Sequence, residues 1–415
     1  MNMRTMKAID HYAGIPICLL LDVYSRFRAF FASPPPRHPA KILLMKYFGM
    51  GSILLATPML HALRQKYPDI GIGFMTLASN RDLVERLGLV DTVYLLRTDT
   101  AGHFAADAFR QLRAIRREKY DVTIDLEFFA KFSTIMSFLA GSPIRIGYFL
   151  RQMWRGSLLT HQVYYNQKRH ITEVFAALVT PLQTVVTDFS MSVPLISEAD
   201  ERAADLLLES CGITGNTPFF VLNVNASDLS RERCWPLDFF RELSCELLQR
   251  TDARLVFIGV EGDKAQVAQV LDGLEDQRYV ANLAGRTSLG ELMAIIRRGR
   301  LFIGNDSGPL HLAAVLGIPT VSFFGPETPT LYGPQGQQHL VFYENIYCSP
   351  CLNVFNAKTA PCAGNNVCMQ SIDPAHVLQT ILERFSAEIC SCSVTISRYE
   401  QRPGSDEDRN HSGSV

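Results

Sequence analysis

The sequence predicts an α/β protein of two domains, each a parallel sheet covered by helices. Three observations carry this. Short apolar runs alternate with amphipathic stretches of helical period through both halves, as in parallel sheets with covered faces. The chain has 415 residues, long enough for two or three domains. Residues 301–326 spell a compact strand–helix–strand unit with turn chemistry at its first corner.

Composition narrows the class. Hydrophobic residues make up 47% and charged residues 20%, so a large core can form. A net charge of −1 gives no reason to expect a nucleic-acid partner. No apolar run is long enough to span a bilayer. Residues 15–21 are apolar, but Asp22 follows without a small-residue cleavage site, so a signal peptide is not expected. Residues 12–32 mix apolar side chains with Arg26 and Arg28; an interfacial helix and a helix packed on the protein's own surface both fit. The expected layout is an extension over 1–39, ending in a Pro-rich break at 33–36 and Arg37. A first domain over 40–190 and a second over 191–375 follow. Residues 376–397 are a terminal helix and linker, and the polar stretch 398–415 reads as disordered.

In chain order, 41–47 is a strand and 48–52 its turn. Leu54, Leu55, Met59, Leu60 and Leu63 give 53–67 a helical face, with Pro58 delaying or kinking it. Strands follow at 70–77, 93–96 and 122–126, with helices at 80–87 and 104–118 between them. Ligands bind such sheets at the carboxyl ends of the strands, which puts 49–52 and 125–129 beside one cleft. Asp125 and Glu127 share a facing by the period of two. Lys131, Arg145 and Arg151 form a basic segment, read either as a contact for an anionic acceptor or diphosphate or as scattered surface charge. Residues 163–180 look like a helix returning over the sheet.

The second half repeats the alternation: helix 200–211, strand 219–224, helix 239–250, strand 254–259, helix 264–271, strand 280–283 and helix 291–297. Glu261 and Asp263 lie in a glycine turn, placed either to accept from ribose hydroxyls or to cap the next helix. Residues 301–304 are a buried strand, and Asn305-Asp306-Ser307-Gly308 is turn chemistry. Pro309 suits a first helical turn, Gly317 ends the helix and 320–324 is the returning strand. Free N–H groups at this helix start, beside Ser307 and Gly308, favour an anion such as phosphate. His311 sits in the same turn. The other reading of the unit is an ordinary crossover with a capped helix.

The residues themselves carry a resemblance. Asp306-Ser307-Gly308-Pro309-Leu310-His311-Leu312-Ala313-Ala314, Gly317-Ile318-Pro319-Thr320 and Phe324-Gly325-Pro326 resemble the nucleotide-sugar motif of the heptosyltransferase family, glycosyltransferase family nine. The likeness runs from about residue 41 to 382. It implies a GT-B fold, two Rossmann-like domains with parallel sheets facing a central cleft, and an inverting transfer that needs no metal. The donor it implies is a nucleotide sugar, ADP-heptose, and the acceptor a glycan or lipid-linked hydroxyl of the bacterial lipopolysaccharide core. It also implies a cytoplasmic setting, with peripheral contact at the inner membrane, and no cofactor. Asp306, Ser307, Gly308 and His311 stand where the family holds the donor diphosphate. Arg233, just before Trp235-Pro236, stands where the family has a basic residue near the donor phosphates, and a guanidinium fork suits a diphosphate. Glu261, Asp263 and Thr287 fall in turns that meet the nucleoside. A last helix over 373–385 is expected to cross back to the first domain.

One position departs from the pattern. Ser52 stands where the family has its catalytic Asp. A hydroxyl is not a base near neutral pH, so Glu127 becomes the candidate base, with Asp125 read as a loop cap. A non-catalytic nucleotide-sugar binding protein is the alternative. Of ten cysteines, Cys18, Cys211, Cys234 and Cys245 are isolated, and Cys390 and Cys392 lie near the tail. Cys348, Cys351, Cys362 and Cys368 cluster; the first pair has zinc-type spacing, and structural zinc, free thiols and disulfides all remain open.

Overall fold

A computed structural model describes residues 3–29, 38–155, 157–226, 230–274, 277–356, 358–359, 362 and 365–386. The break at 33–37, the tail 398–415, Cys390 and Cys392 lie outside the described residues. The first sheet contains β1 (Lys41–Met45), β2 (Gly71–Leu77), β3 (Thr92–Leu96), β4 (Val122–Asp125), β5 (Ile144–Phe149) and β6 (His161–Tyr164). The second contains β7 (Phe219–Asn223), β8 (Arg254–Phe257), β9 (Val280–Asn282), β10 (Leu301–Asn305), β11 (Thr320–Phe324) and β12 (His339–Tyr343). The strand orders are β3-β2-β1-β4-β5-β6 and β12-β11-β10-β7-β8-β9, with every pairing parallel.

The two orders are the same when counted within each domain: the first and fourth strands are central neighbours, and the chain leaves them in opposite directions. This is the GT-B arrangement of two Rossmann-like domains. The reversal opens a crevice at the carboxyl ends of β1 and β4 in one sheet and of β7 and β10 in the other. Register fixes what stands there, with Met45 opposite Asp125 and Asn223 opposite Gly304. Strands β4, β7, β10 and β11 are buried along their whole length, so they read as continuous apolar runs rather than alternating ones. Trp235 stacks on Phe323 at 4.2 Å, and its indole N–H donates to the Ile372 carbonyl at 3.0 Å, fixing the approach to the second crevice.

Five elements differ from expectation. The helix expected over 53–67 is two helices, Met50–Leu55 and Thr57–Lys66, broken at Ala56 so that Pro58 falls in the first turn of the second. The helix expected over 163–180 begins as the edge strand β6 and continues as Ile171–Ala176 and a 3₁₀ turn, Ala177–Leu182. Strands β5 and β12 have no counterpart in the sequence reading. The last helix, Pro374–Arg384, does not cross back; its apolar face packs on Leu237–Arg250 in the second domain.

The extension forms two helices, Met3–Tyr12 and Gly14–Ala29, docked on the first domain. The Asp10 carboxylate accepts from the Phe132 and Lys131 amides at 2.7 and 3.0 Å and so caps the helix Lys131–Ala140. Asp22 accepts from the Ser157 amide at 2.7 Å, and Cys18 is fully buried. Of the two readings of 12–32, packing on the protein's own surface holds for one face only. Between domains, Arg86 pairs with Asp200 at 2.7 Å, and His170 Nε2–H donates to the Gly333 carbonyl at 3.2 Å.

Candidate active site

The two crevices share a cavity of about 1030 Å³. Its first-domain wall is the turn after β1 and the segment after β4. Glu127 is 1% exposed, and its Oε1 accepts from Lys46 Nζ at 3.0 Å and from the Tyr47 and Phe48 amides at 2.7 and 3.0 Å. Its Oε2 is buried on the cavity wall with no hydrogen-bond partner among the described residues. One carboxylate oxygen thus builds the turn and the other is left over for something in the cavity. Phe48 and Phe129 stack beside it and supply an apolar wall. Ser52 is half-buried on the same wall.

Asp125 is elsewhere. It is fully buried behind the wall, ion-paired to Arg155, and it accepts from Ser133 Oγ at 2.8 Å, Thr134 Oγ1 at 3.0 Å and the Glu127 amide at 3.0 Å. Burial pushes its carboxyl above the usual carboxylate range, against the pull of Arg155. Asp125 does not line the cavity, and its bond to the Glu127 amide fits the reading of it as a loop cap. Lys131, Arg145 and Arg151 are not on the cavity either. Arg145 donates to the Leu158 and Ser142 carbonyls, both at 2.7 Å, and Lys131 packs beneath the N-terminal helices.

On the second-domain wall, the helix Gly308–Val315 begins at the cavity. Its cap residue Ser307 makes no side-chain capping bond; the hydroxyl instead accepts from Asn223 Nδ2 at 3.0 Å. The first amides of the helix therefore retain their attraction for an anion. Arg233 Nη1 donates to both the carbonyl and Oδ2 of Asp306, at 2.9 and 3.0 Å. The carboxylate of Asp306 thus orients the arginine, and the arginine is the group suited to a diphosphate. The site is pinched at its base. A Cβ on Gly51 would stand 2.3 Å from Cδ2 of the buried His311 ring, so that position requires glycine, whereas a Cβ on Gly308 would displace only the end of the Met50 side chain.

The far end carries the residues expected to meet the nucleoside. Glu261, Asp263 and Thr287 all line the cavity. Glu261 is exposed and pairs with Lys264 at 2.7 Å; Asp263 accepts from the Val260 amide at 2.8 Å, closing its own turn and not capping the helix Lys264–Leu271.

Sequence reasoning missed a third group. Glu327 and Lys358 form a buried ion pair on the cavity wall, with the Lys358 ammonium 4.4 Å from the Tyr332 ring centroid. Burial pushes the Glu327 carboxyl up, opposed mainly by Lys358. Only the order of the strands brings such a pair together, so no local signal marked it. Lys46 was also missed, although it ends the apolar run of β1 with a charge where the strand meets the crevice.

His311 is fully enclosed, and burial pulls its imidazole down to about 4, against the pull of Asp306. A histidine in an unfolded chain titrates near 6.5, so between these values the unfolded chain binds a proton that the folded one refuses. The contribution is harmless above pH 6.5 and costs stability as pH falls towards 4. We expect His311→Gln to flatten the acid limb of stability over that window relative to the parent. Equal slopes in denaturant titrations of the two proteins would contradict this.

The four clustered cysteines are free thiols, and no group of three or more metal-ligating side chains converges among the described residues.

Comparison with known proteins matches residues 108–359 to the profile of glycosyltransferase family 9 (heptosyltransferase). The chain is 27% identical over 305 residues to lipopolysaccharide heptosyltransferase 3 of Escherichia coli, covering 72% of this chain and 87% of that one. It is 28% identical over 323 residues to lipooligosaccharide heptosyltransferase 2 of Haemophilus ducreyi, covering 72% and 88%. Among solved structures, E. coli ADP-heptose lipopolysaccharide heptosyltransferase II superposes with a TM-score of 0.67 at 20% identity, covering 84% of this chain and 99% of that one. A family 9 glycosyltransferase from Veillonella parvula superposes with a TM-score of 0.69 at 21% identity, covering 86% and 99%.

Proposed function

Since the chain belongs to glycosyltransferase family 9 and is a glycosyltransferase, we propose that it moves a heptose from an ADP-linked donor to a hydroxyl of a lipopolysaccharide core or related bacterial glycan, with inversion and without a divalent metal. The observation that carries this is the cavity between the two crevices. It sets a carboxylate oxygen without a partner on one wall and a helix start with an oriented arginine on the other. The names of the relatives supply heptose and ADP.

The chemistry follows from those two walls. The ADP diphosphate lies at the start of the helix Gly308–Val315, its developing charge met by backbone amides and Arg233. Glu127 Oε2 takes the proton of the acceptor hydroxyl as the new glycosidic bond forms and the bond to diphosphate breaks. Attack from the wall opposite the leaving group inverts the anomeric carbon. Ser52 on the same wall binds substrate. The acceptor is lipid-linked in this reading, and the enzyme works at the cytoplasmic face of the inner membrane. A binding-only role draws no support from the cavity, which keeps a carboxylate on the acceptor side.

The test is transfer from ADP-heptose to a panel of truncated core acceptors, read by mass spectrometry and by the anomeric coupling of the product. We expect turnover to be unchanged by EDTA. Activity abolished by EDTA and restored by magnesium or manganese would overturn the metal-free mechanism. No transfer to any acceptor, with ADP-heptose still bound, would overturn the reaction.

A further inference from the structure

We infer that the N-terminal helical pair is a docking surface for an anionic lipid bilayer, placed so that it holds the cavity mouth against the membrane. On the helix Gly14–Ala29, Leu20, Val23, Tyr24 and Phe27 fall at i, i+3, i+4 and i+7. That spacing makes a single stripe, and a stripe of this kind ordinarily faces a core. Here it faces out, at 72%, 57%, 57% and 67% exposure, and Leu19 and Tyr12 extend it. The opposite side of the same helix is the packed one, through Gly14 and Cys18.

Charge decides the occupant. The described acids of the pair, Asp10 and Asp22, both point at the domain, where they accept from the Lys131, Phe132 and Ser157 amides. The sequence of the pair also carries Arg4, Lys7, Arg26 and Arg28. Arg26 is exposed and reaches back to Asp22 at 3.1 Å, so the charge of the pair is the excess of four basic residues over two acids. An apolar stripe edged by a net excess of basic residues, with its acids engaged in hydrogen bonds to the domain, matches the interface of an anionic bilayer. It suits a second copy of the chain less well. A second copy would set the same excess of basic residues against itself, and like charges across an interface oppose association. No described helix is long and apolar enough to cross the membrane, so the contact is peripheral.

The position gives the surface its purpose, which rests on the proposed transfer to a lipid-linked acceptor. Lys7, on the first helix of the pair, lies 5.7 Å from the Phe129 ring centroid and donates to the Lys358 carbonyl at 3.2 Å. Phe129 and Lys358 both line the cavity, so the helical pair borders the cavity wall.

The test is flotation of the full chain with vesicles of phosphatidylcholine mixed with phosphatidylglycerol, and of phosphatidylcholine alone, beside a Leu20→Ser/Phe27→Ser variant and an Arg26→Glu variant. ADP affinity by calorimetry confirms that each variant is folded. We expect the parent to float with the anionic vesicles and weakly with the neutral ones. The double variant should lose about tenfold or more in bound fraction at unchanged ADP affinity, and Arg26→Glu should weaken binding to the anionic vesicles alone. A parent that does not float at low salt, or a double variant that floats like it, would overturn the proposal. So would a dimer, seen by light scattering, that the double variant dissolves, since the stripe would then be a self-contact. Flotation involves neither donor nor acceptor. A protein that floats without transferring sugar rejects the reaction and keeps the surface; one that transfers to a soluble acceptor without floating does the reverse.

Discussion

Glu127→Gln is expected to lower kcat by about a hundredfold or more, within the range of a lost general base, while Ser52→Ala changes it little. Glutamine keeps the size of the side chain and an oxygen for the Tyr47 and Phe48 amides, and it removes basicity. The substitution also strands a buried ammonium, because Lys46 is 2% exposed and pairs with Glu127. Removing one partner of such a pair costs about 3–5 kcal/mol, so lost activity alone would not separate chemistry from unfolding. Lys46→Met/Glu127→Gln separates them: it should regain thermal stability without regaining turnover. Near-normal turnover in folded Glu127→Gln would remove the base assignment. Recovery of turnover in the double variant would show that the carboxylate serves only to hold the turn.

The second large effect is on the donor. Arg233→Met is expected to weaken ADP binding by about ten- to a hundredfold, the worth of a charge-assisted contact. Arg233→Lys should recover part of the affinity, since it restores charge but not the two-pronged geometry. Asp306→Asn should fall between, because it loosens Arg233 from its Oδ2 contact while leaving the carbonyl contact in place. Calorimetry with ADP measures all three. Unchanged affinity in Arg233→Met would place the diphosphate elsewhere.

What the sequence made legible was local. The unit from β10 to β11 could be read because each signal lies within a few residues of the next: an apolar strand, a turn, a proline in the first helical turn and a glycine at its end. The same holds for Arg233 beside Trp235, and for the turn at 259–263. Strand β6 was missed because only alternate residues of His-Gln-Val-Tyr are exposed, and its polar edge gives too weak a pattern over four residues. The pairing of Lys46 with Glu127 crosses 81 positions, and that of Glu327 with Lys358 crosses 31. Such partners become neighbours only when the strand order is known. The reading of 125–129 found the right strand end and ranked Glu127 above Asp125. It could not see that Arg155, 30 positions on, would draw Asp125 behind the wall.

The grip of Lys7 makes the N-terminal helix a third party to the relation between the two domains. The helix is bound to the first domain through Asp10, and its ammonium donates to Lys358 O and Thr359 Oγ1, 3.2 and 3.0 Å away, on a loop of the second. Any opening of the cleft that separates these domains must release both bonds, worth about 1 kcal/mol each. Together that is roughly a thirtyfold weight on the closed population. Such a weight is subject to reciprocity. If lipid contact steadies the helix on its domain, it favours closure; a donor that favours closure must then tighten the hold on lipid by the same factor. The empty enzyme would leave the bilayer more readily than the loaded one.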